Sequence, residues 1–213
     1  MKIIIFITAL LLLLLGVVNG DTLQVEVDES YQPLTAPDTF VVAFTTTKGS
    51  FSATFNRSWA PYGVDHFYTL IQAGYYNDNA FFRVIDQPRP FVAQWGIASD
   101  PAVSQKWNIT IPEDSIVGIS NVAATITYAA EMNSQGLACC RTTQLFINYG
   151  DNSFLDPEGF IPIGMITSGF NNVLQFYSGY GENVDQGLLY SQGAAYLKNF
   201  PSLDYLQSAT LSN

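Results

Sequence analysis

An arginine stands in the middle of an apolar run, "FFRVI" at residues 81–85. A guanidinium stays charged at any ordinary pH and is rarely buried without partners, so Arg83 needs a reason to be there. Two glutamines stand in comparable surroundings, Gln94 inside "FVAQW" and Gln144 inside "TQLFI". Side chains alternate along an extended strand. That puts Gln144 with Phe146 on one face of their strand, and Phe81, Arg83 and Ile85 together on one face of theirs. These pieces predict an apolar pocket with a few polar donors. Such a site performs no acid–base, nucleophilic or metal chemistry; it holds an apolar group and polarises something beside it.

Other chemistries lack their residues. The only histidine, His66, falls in a helical pattern and receives a structural or solvated role. The two cysteines, Cys139 and Cys140, are neighbours, so no zinc-ligand spacing and no long-range internal disulfide can arise. Their Cα atoms lie about 3.8 Å apart across a trans peptide, below the usual disulfide range of roughly 4.4–6.8 Å. A strained vicinal bridge, two free thiols and a link to another chain all stay open. No G-x-S-x-G elbow or phosphate loop occurs. Asp151 and Asp156 lack the ligand spacing of a calcium-binding EF-hand loop. Nothing singles out Asp86, Asp100 or Asp156 as a carboxylate pair for sugar hydrolysis. No metal or cofactor is expected.

The chain has 213 residues, enough for one domain with a real core. Residues 1–20 stand apart: Lys2, an apolar run from Ile3 to Val18, then small residues ending at Gly20. This is the pattern of a secretory signal peptide cleaved near Gly20; the run is shorter than the roughly 20 apolar residues that span a bilayer. The mature protein is therefore expected in the secretory pathway, outside the cell or in the endoplasmic reticulum lumen, as a monomer free of the membrane. Two sequons, at Asn56 and Asn108, offer sites for glycosylation there. The formal net charge of −10 argues against nucleic acid and anionic membrane surfaces, both of which need clustered basic residues.

Several short elements must position the arginine. Residues 21–38 are acidic and turn-rich and read as an irregular leader; the domain proper spans 39–213. "FVVAFTTTKGSFSATF" reads as a hairpin turning at Lys48-Gly49. A helix follows, with Ser58 as N-cap, Pro61 in its first turn, Val64, Phe67 and Ile71 at helical spacing, and Gly74 as its stop. Strands are expected at "AFFRVI", "FVAQWGI", "SIVGISN", "ATITYAAE", "TQLFINY", "FIPIGMIT" and "DYLQSATL". "DQPRP", "MNSQGLACCRT" and "GDNSFLDPEG" read as loops, and "NNVLQFYSG" as a second short helix ending near Gly179. Many short strands in hairpin order predict a mostly antiparallel sheet that closes as a barrel or sandwich.

Three segments together resemble a known family. "AFFRVI…PFVAQWG" resembles the F-H-R-[IV]-I-P-x-F-M-x-Q-G-G run of cyclophilin-type peptidyl-prolyl cis–trans isomerases. "RTTQLFIN" is similar to the family's S-Q-F-F-I, and "FLDPEGFIPIGMI" to its W-L-D-G-x-x-x-x-F-G-x-V. Order and spacing agree across residues 40–211. The resemblance implies a closed antiparallel eight-stranded β-barrel capped by two α-helices. It implies isomerisation of X-Pro bonds in proline-containing peptides or unfolded secretory client proteins, as an aid to folding. Arg83 takes the catalytic position, donating to an amide nitrogen rather than pairing a buried acid. Phe91, Val92, Gln94, Ala129, Gln144, Phe146, Leu155 and Phe160 take the substrate-binding positions.

The chain also departs from the pattern. Phe82 replaces a histidine, Val92 a methionine, Trp95 the first glycine of Q-G-G, Phe154 the tryptophan and Phe160 the groove's histidine. Ala130 stands where asparagine is common, and the loops at 86–90 and 132–141 are longer. These changes bear on cyclosporin binding and peptide preference. The retained Arg83, Phe91 and Phe146 keep catalysis as the expectation. The alternative is a proline-peptide binder or chaperone that uses the same groove without turnover.

Overall fold

A computed structural model describes residues 31–212. The signal-peptide reading of residues 1–20 and the first part of the leader lie outside the described residues.

The predicted hairpin is present as β1 (Thr39–Thr46) and β2 (Gly49–Asn56), with Thr46 paired to Gly49. Gly49 has φ +109°, a conformation that a Cβ would strain. Next come α1 (Pro61–Gln72), β3 (Asn79–Ala80), β4 (Arg83–Ile85), β5 (Val92–Trp95) and α2 (Pro101–Lys106). β6 (Thr125–Tyr128), β7 (Glu131–Met132), β8 (Ala138–Cys139) and β9 (Leu145–Asn148) lead to a 3-10 helix (Ser153–Glu158). β10 (Pro162–Ser168), α3 (Phe170–Val173), α4 (Gln186–Gln192), α5 (Ala194–Leu197) and β11 (Tyr205–Leu211) complete the chain.

Nine strands pair antiparallel in the order β3-β11-β1-β2-β10-β6-β9-β5-β4. The two outermost strands are consecutive in the chain, separated only by Phe81 and Phe82. A continuous chain thus draws both edges together and curls the sheet around its core. The expected eight strands become nine because this stretch is interrupted. β3 pairs with β11, and the Phe81 N–H extends that pairing to the Asp204 carbonyl at 2.9 Å, while β4 pairs with β5.

The interruption also shifts the alternation of side chains. Phe81 and Val84 both enter the main core, Phe82 enters a second cluster, and Arg83 and Ile85 face the outer surface. Phe81 therefore does not share a face with Arg83, contrary to expectation. The second cluster holds Phe82 among Ala80, Ile97, Val184, Leu189, Leu197 and Leu203. Most of those partners come from residues 174–204, so Phe82 anchors that helical segment to the sheet. Phe82→His, which restores the family's residue, buries an imidazole among aliphatic groups. It should cost about 2 kcal/mol and lower the melting temperature by roughly 4–8 °C in a thermal unfolding scan.

Helix α1 buries Val64, Phe67 and Ile71 against the core, as their spacing predicts, and Leu70 joins them. Its capping differs from expectation. The N-cap position is Ala60, not Ser58, whose N–H and hydroxyl bond to Asn56 instead. The cap is supplied from a distance by Asp114. Its Oδ1 accepts from the Tyr62 N–H at 2.8 Å and its Oδ2 from the Gly63 N–H at 2.9 Å. Arg141 Nη1 also donates to Oδ2, at 3.0 Å. Gly74, with φ +66°, ends the helical turn as expected.

Three further corrections concern local structure. "SIVGISN" forms no strand; Ser120 Oγ and the Asn121 N–H are drawn to Asp156 instead. The loop at 132–141 forms the small β7–β8 hairpin together with Glu131, which pairs with Cys139. The two expected helices are joined by α2, α4, α5 and the 3-10 helix, and the second expected helix covers only Phe170–Val173.

His66 is fully buried on α1, with the Tyr31 hydroxyl 2.7 Å from Nδ1. Burial lowers its pKa from the usual value to about 4. The unfolded chain therefore binds a proton between roughly pH 6.5 and 4 that the folded chain does not. Stability from this group is fully present above about pH 6.5 and falls as pH drops toward 4, by on the order of 3 kcal/mol. Denaturant titrations at pH 7, 5.5 and 4 should show this decline, and it should flatten in His66→Gln.

Candidate active site

Strand pairing sets the geometry. Arg83 on β4 pairs with Gln94 on β5, Gln94 with Phe146 on β9, and Phe146 with Thr127 on β6. Directly opposed residues project to the same face. The alternate row, Val84, Ala93, Ile147 and Ile126, points into the main core. Arg83, Gln94 and Phe146 thus lie side by side on the outer surface of the sheet.

They border an open depression with about 350 Å³ of space, solvent at its mouth included. Arg83 and seven of the eight predicted binding residues line it: Phe91, Val92, Gln94, Ala129, Phe146, Leu155 and Phe160. Gln144 stands outside the lining. It accepts from Gln94 Nε2 at 2.8 Å through its own Oε1, and its Nε2 donates to the Tyr190 hydroxyl at 3.2 Å. Ala130, noted above only as a departure, joins the wall. The floor is apolar, since Phe91, Val92, Ala130, Ala138, Phe146, Leu155 and Phe160 pack as one cluster.

Arg83 is only 8 % exposed. Its Nη1 donates to Gln94 Oε1 at 3.3 Å, and its Cζ lies 5.5 Å from the centroid of the Phe91 ring. Its other edge meets a carboxylate: Nε at 3.1 Å and Nη2 at 2.5 Å from Glu182 Oε1. The sequence reading set a donor role against pairing with a buried acid; the acid that Arg83 meets is an exposed one, with the Glu182 side chain 61 % exposed. Glu182 lies 99 positions away in a segment without a motif, so no local signal marked it. Tyr190 was missed for the same reason.

The far wall is braced by a buried polar network. Asn152 Nδ2 donates to the Phe91 carbonyl at 2.9 Å and to Asn148 Oδ1 at 2.8 Å. Asp156 Oδ1 accepts from the N–H and the Nδ2 of Asn121, at 2.9 and 2.8 Å. Asn121 Nδ2 also donates to the Phe160 carbonyl at 2.8 Å. These bonds fix Leu155 and Phe160, and they consume the Asp156 oxygens in structure rather than acid catalysis.

The substituted aromatics find different roles. Phe160 meets Phe146 edge-on, with centroids 6.1 Å apart. Phe154 stacks 6.1 Å from Phe91, with the Arg89 guanidinium 4.6 Å over its ring. Trp95 points into the main core against Phe81 and Tyr76, so its replacement of glycine repacks the interior and leaves the groove alone. Cys139 and Cys140 are free thiols at the end of the β7–β8 hairpin. Burial pushes the Cys140 thiol up to about 12, so it is not a nucleophile near neutrality. Asn108 is exposed after α2, while the Asn56 carbonyl oxygen is engaged by Ser58.

Comparison with known proteins gives the family. The model of the cyclophilin-type peptidyl-prolyl cis–trans isomerases matches residues 41–187. The chain belongs to that family. The peptidyl-prolyl cis–trans isomerase A of Dickeya dadantii is 30 % identical over 115 residues, which are 54 % of this chain and 57 % of that relative. The match thus spans little more than half the length of the curated relative. Among solved structures, a Cryptosporidium parvum cyclophilin-type isomerase aligns with a TM-score of 0.57 at 17 % identity, over 82 % of this chain and 98 % of its own. A cyclophilin from Hirschia baltica aligns with a TM-score of 0.57 at 16 % identity, over 84 % and 76 %. These two likenesses bear on the fold alone. Within the family's pattern, Arg83 and the Phe91 and Phe146 rings are retained, while Phe154 and Phe160 stand where it has tryptophan and histidine.

Proposed function

We propose that this protein accelerates cis–trans isomerisation of X-Pro bonds in proline-containing peptides and unfolded client chains. The observation that carries this reading is a guanidinium held at the edge of an apolar pocket, between Gln94 and the Phe91 ring. A structure of the Cryptosporidium parvum relative obtained in the presence of the dipeptide Ala-Pro adds support.

The chemistry follows from amide resonance. The barrier to rotation is about 18–20 kcal/mol, and the uncatalysed exchange takes tens to hundreds of seconds. In the twisted transition state the prolyl nitrogen becomes pyramidal and regains its lone pair. An Arg83 N–H can then donate to that nitrogen, an interaction largely absent from the planar ground state. Only such differential binding lowers the barrier. A planar, permanently charged donor suits this task. Phe91, Val92, Phe146, Leu155 and Phe160 hold the pyrrolidine ring by apolar contact, and Gln94, backed by Gln144, orients the guanidinium.

The clients are proposed to be secretory. The apolar run from Ile3 to Val18 followed by small residues supports this, as does the exposed sequon at Asn108. The Glu182 contact favours a second reading, a groove that binds proline peptides without turning them over, because Arg83 already has an ionic partner. Exchange measured on a proline peptide by NMR or a protease-coupled assay separates the two. Exchange faster than buffer supports catalysis; peptide binding with exchange at the buffer rate overturns it.

A further inference from the structure

Three side-chain hydrogen bonds run in one direction away from Arg83. Its Nη1 donates to Gln94 Oε1 at 3.3 Å, Gln94 Nε2 donates to Gln144 Oε1 at 2.8 Å, and Gln144 Nε2 donates to the Tyr190 hydroxyl at 3.2 Å. Tyr190 stands on α4, and its ring packs against the cluster around Phe82. It lies outside the pocket lining, so it touches the groove only through this chain.

The direction of the chain is forced from the Arg83 end. A guanidinium only donates. A carboxamide carries an acceptor at one end and a donor at the other, and half a turn about its last torsion exchanges them. Gln94 must therefore show its oxygen to Arg83, which leaves its NH2 for Gln144. Gln144 must answer with its own oxygen, which leaves its NH2 in need of an acceptor. The Tyr190 hydroxyl is that acceptor. A half-turn of Gln144 would set two NH2 groups against each other. Gln94 could regain the bond only by turning as well, and would then present an NH2 to the guanidinium. The opposite edge of Arg83 rests on Glu182, an exposed side chain for which water competes. The buried Gln94 edge is thus the one that sets the orientation of the guanidinium.

We propose that Tyr190 is a positioning residue for isomerisation: its hydroxyl fixes the Gln144 amide, through it the Gln94 amide, and through both the guanidinium of Arg83. This inference rests on the catalytic reading above and deepens it. The hydroxyl meets no substrate, so it acts on turnover and leaves peptide binding to the apolar floor.

Tyr190→Phe keeps the ring and its packing and removes only the acceptor. The kcat for exchange of a proline peptide should fall about three- to tenfold, with KM within about twofold of wild type. The double-mutant cycle with Gln144→Ala locates the effect. Once the Gln144 amide is gone, Tyr190→Phe should lower kcat no further. A wild-type kcat in Tyr190→Phe, or the same fold loss in the Gln144→Ala background, overturns the proposal. Exchange at the buffer rate with wild type sinks the catalytic reading by itself. Side-chain NMR then decides whether Tyr190 holds the chain: the Gln94 NH2 group should be ordered in wild type and lose order in Tyr190→Phe, and unchanged order overturns the role of Tyr190.

Discussion

Arg83→Ala should lower kcat/KM for X-Pro exchange by about two to three orders of magnitude, the usual loss on removing one preorganised donor to a transition state. That corresponds to roughly 3–4 kcal/mol of barrier. Arg83→Lys should recover little, because an ammonium lacks the planar edge that spans Gln94 and Glu182 at once. Stability should respond differently. Glu182 is 61 % exposed and returns to solvent when the guanidinium is removed. The change in unfolding free energy from losing that pair should therefore stay within about 1 kcal/mol. Peptide exchange kinetics and a denaturant melt on the same variant give both numbers. Exchange as fast as wild type in Arg83→Ala would remove the arginine from the mechanism.

Asp114→Ala should be the most destabilising of the substitutions considered, with a cost of about 3 kcal/mol or more. Its side chain is 1 % exposed and serves two needs at once. It caps the Tyr62 and Gly63 amides at the start of α1, and it neutralises Arg141, which is 4 % exposed. Alanine leaves those amides unpaired and the cation short of a partner in a buried site. Glu113 remains, with its Oε2 2.7 Å from Arg141 Nε, and so does the Pro112 carbonyl on Nη2, which keeps the loss near the lower end of the range for a broken buried pair. A melting temperature lower by about 10 °C is the expected reading. Asp114→Asn keeps an acceptor for the helix amides while losing the charge, and should fall between.

These two residues mark where the sequence is legible. Arg83 was visible because its neighbours on β4 and β5 carry a pattern of residue types that the groove itself requires. Phe91, Val92, Phe146, Leu155 and Phe160 were visible for the same reason, since their contacts lie within short strands and the turn after β9. Asp114 was not, because a cap normally sits beside the helix it serves, and this one arrives from 52 and 51 residues downstream of the amides it accepts. Ser58 satisfied the local rule and lost to it. "SIVGISN" has the composition of a strand but finds no ladder partner; the Asp156 carboxylate takes the Ser120 hydroxyl and the Asn121 N–H instead. The helices between 174 and 204 are only 4 to 7 residues long, too short for periodicity to declare itself. Their reason to exist is Phe82, whose role depends on a cluster that no local window contains.

The row Arg83–Gln94–Phe146–Thr127 has a consequence for how such a protein can diverge. The backbones of its members are aligned by hydrogen bonds between four strands, and the Gln94 side chain then orients the guanidinium. Loops at either end can lengthen, and ring types along the rim can be exchanged, without moving the guanidinium relative to the Phe146 ring. A slip of one residue in any pairing would instead turn that strand's whole set to the other face. The groove is thus inherited as a unit. Residues of its walls can change, as at Val92, Phe154 and Phe160, while the donor and the ring keep their distance.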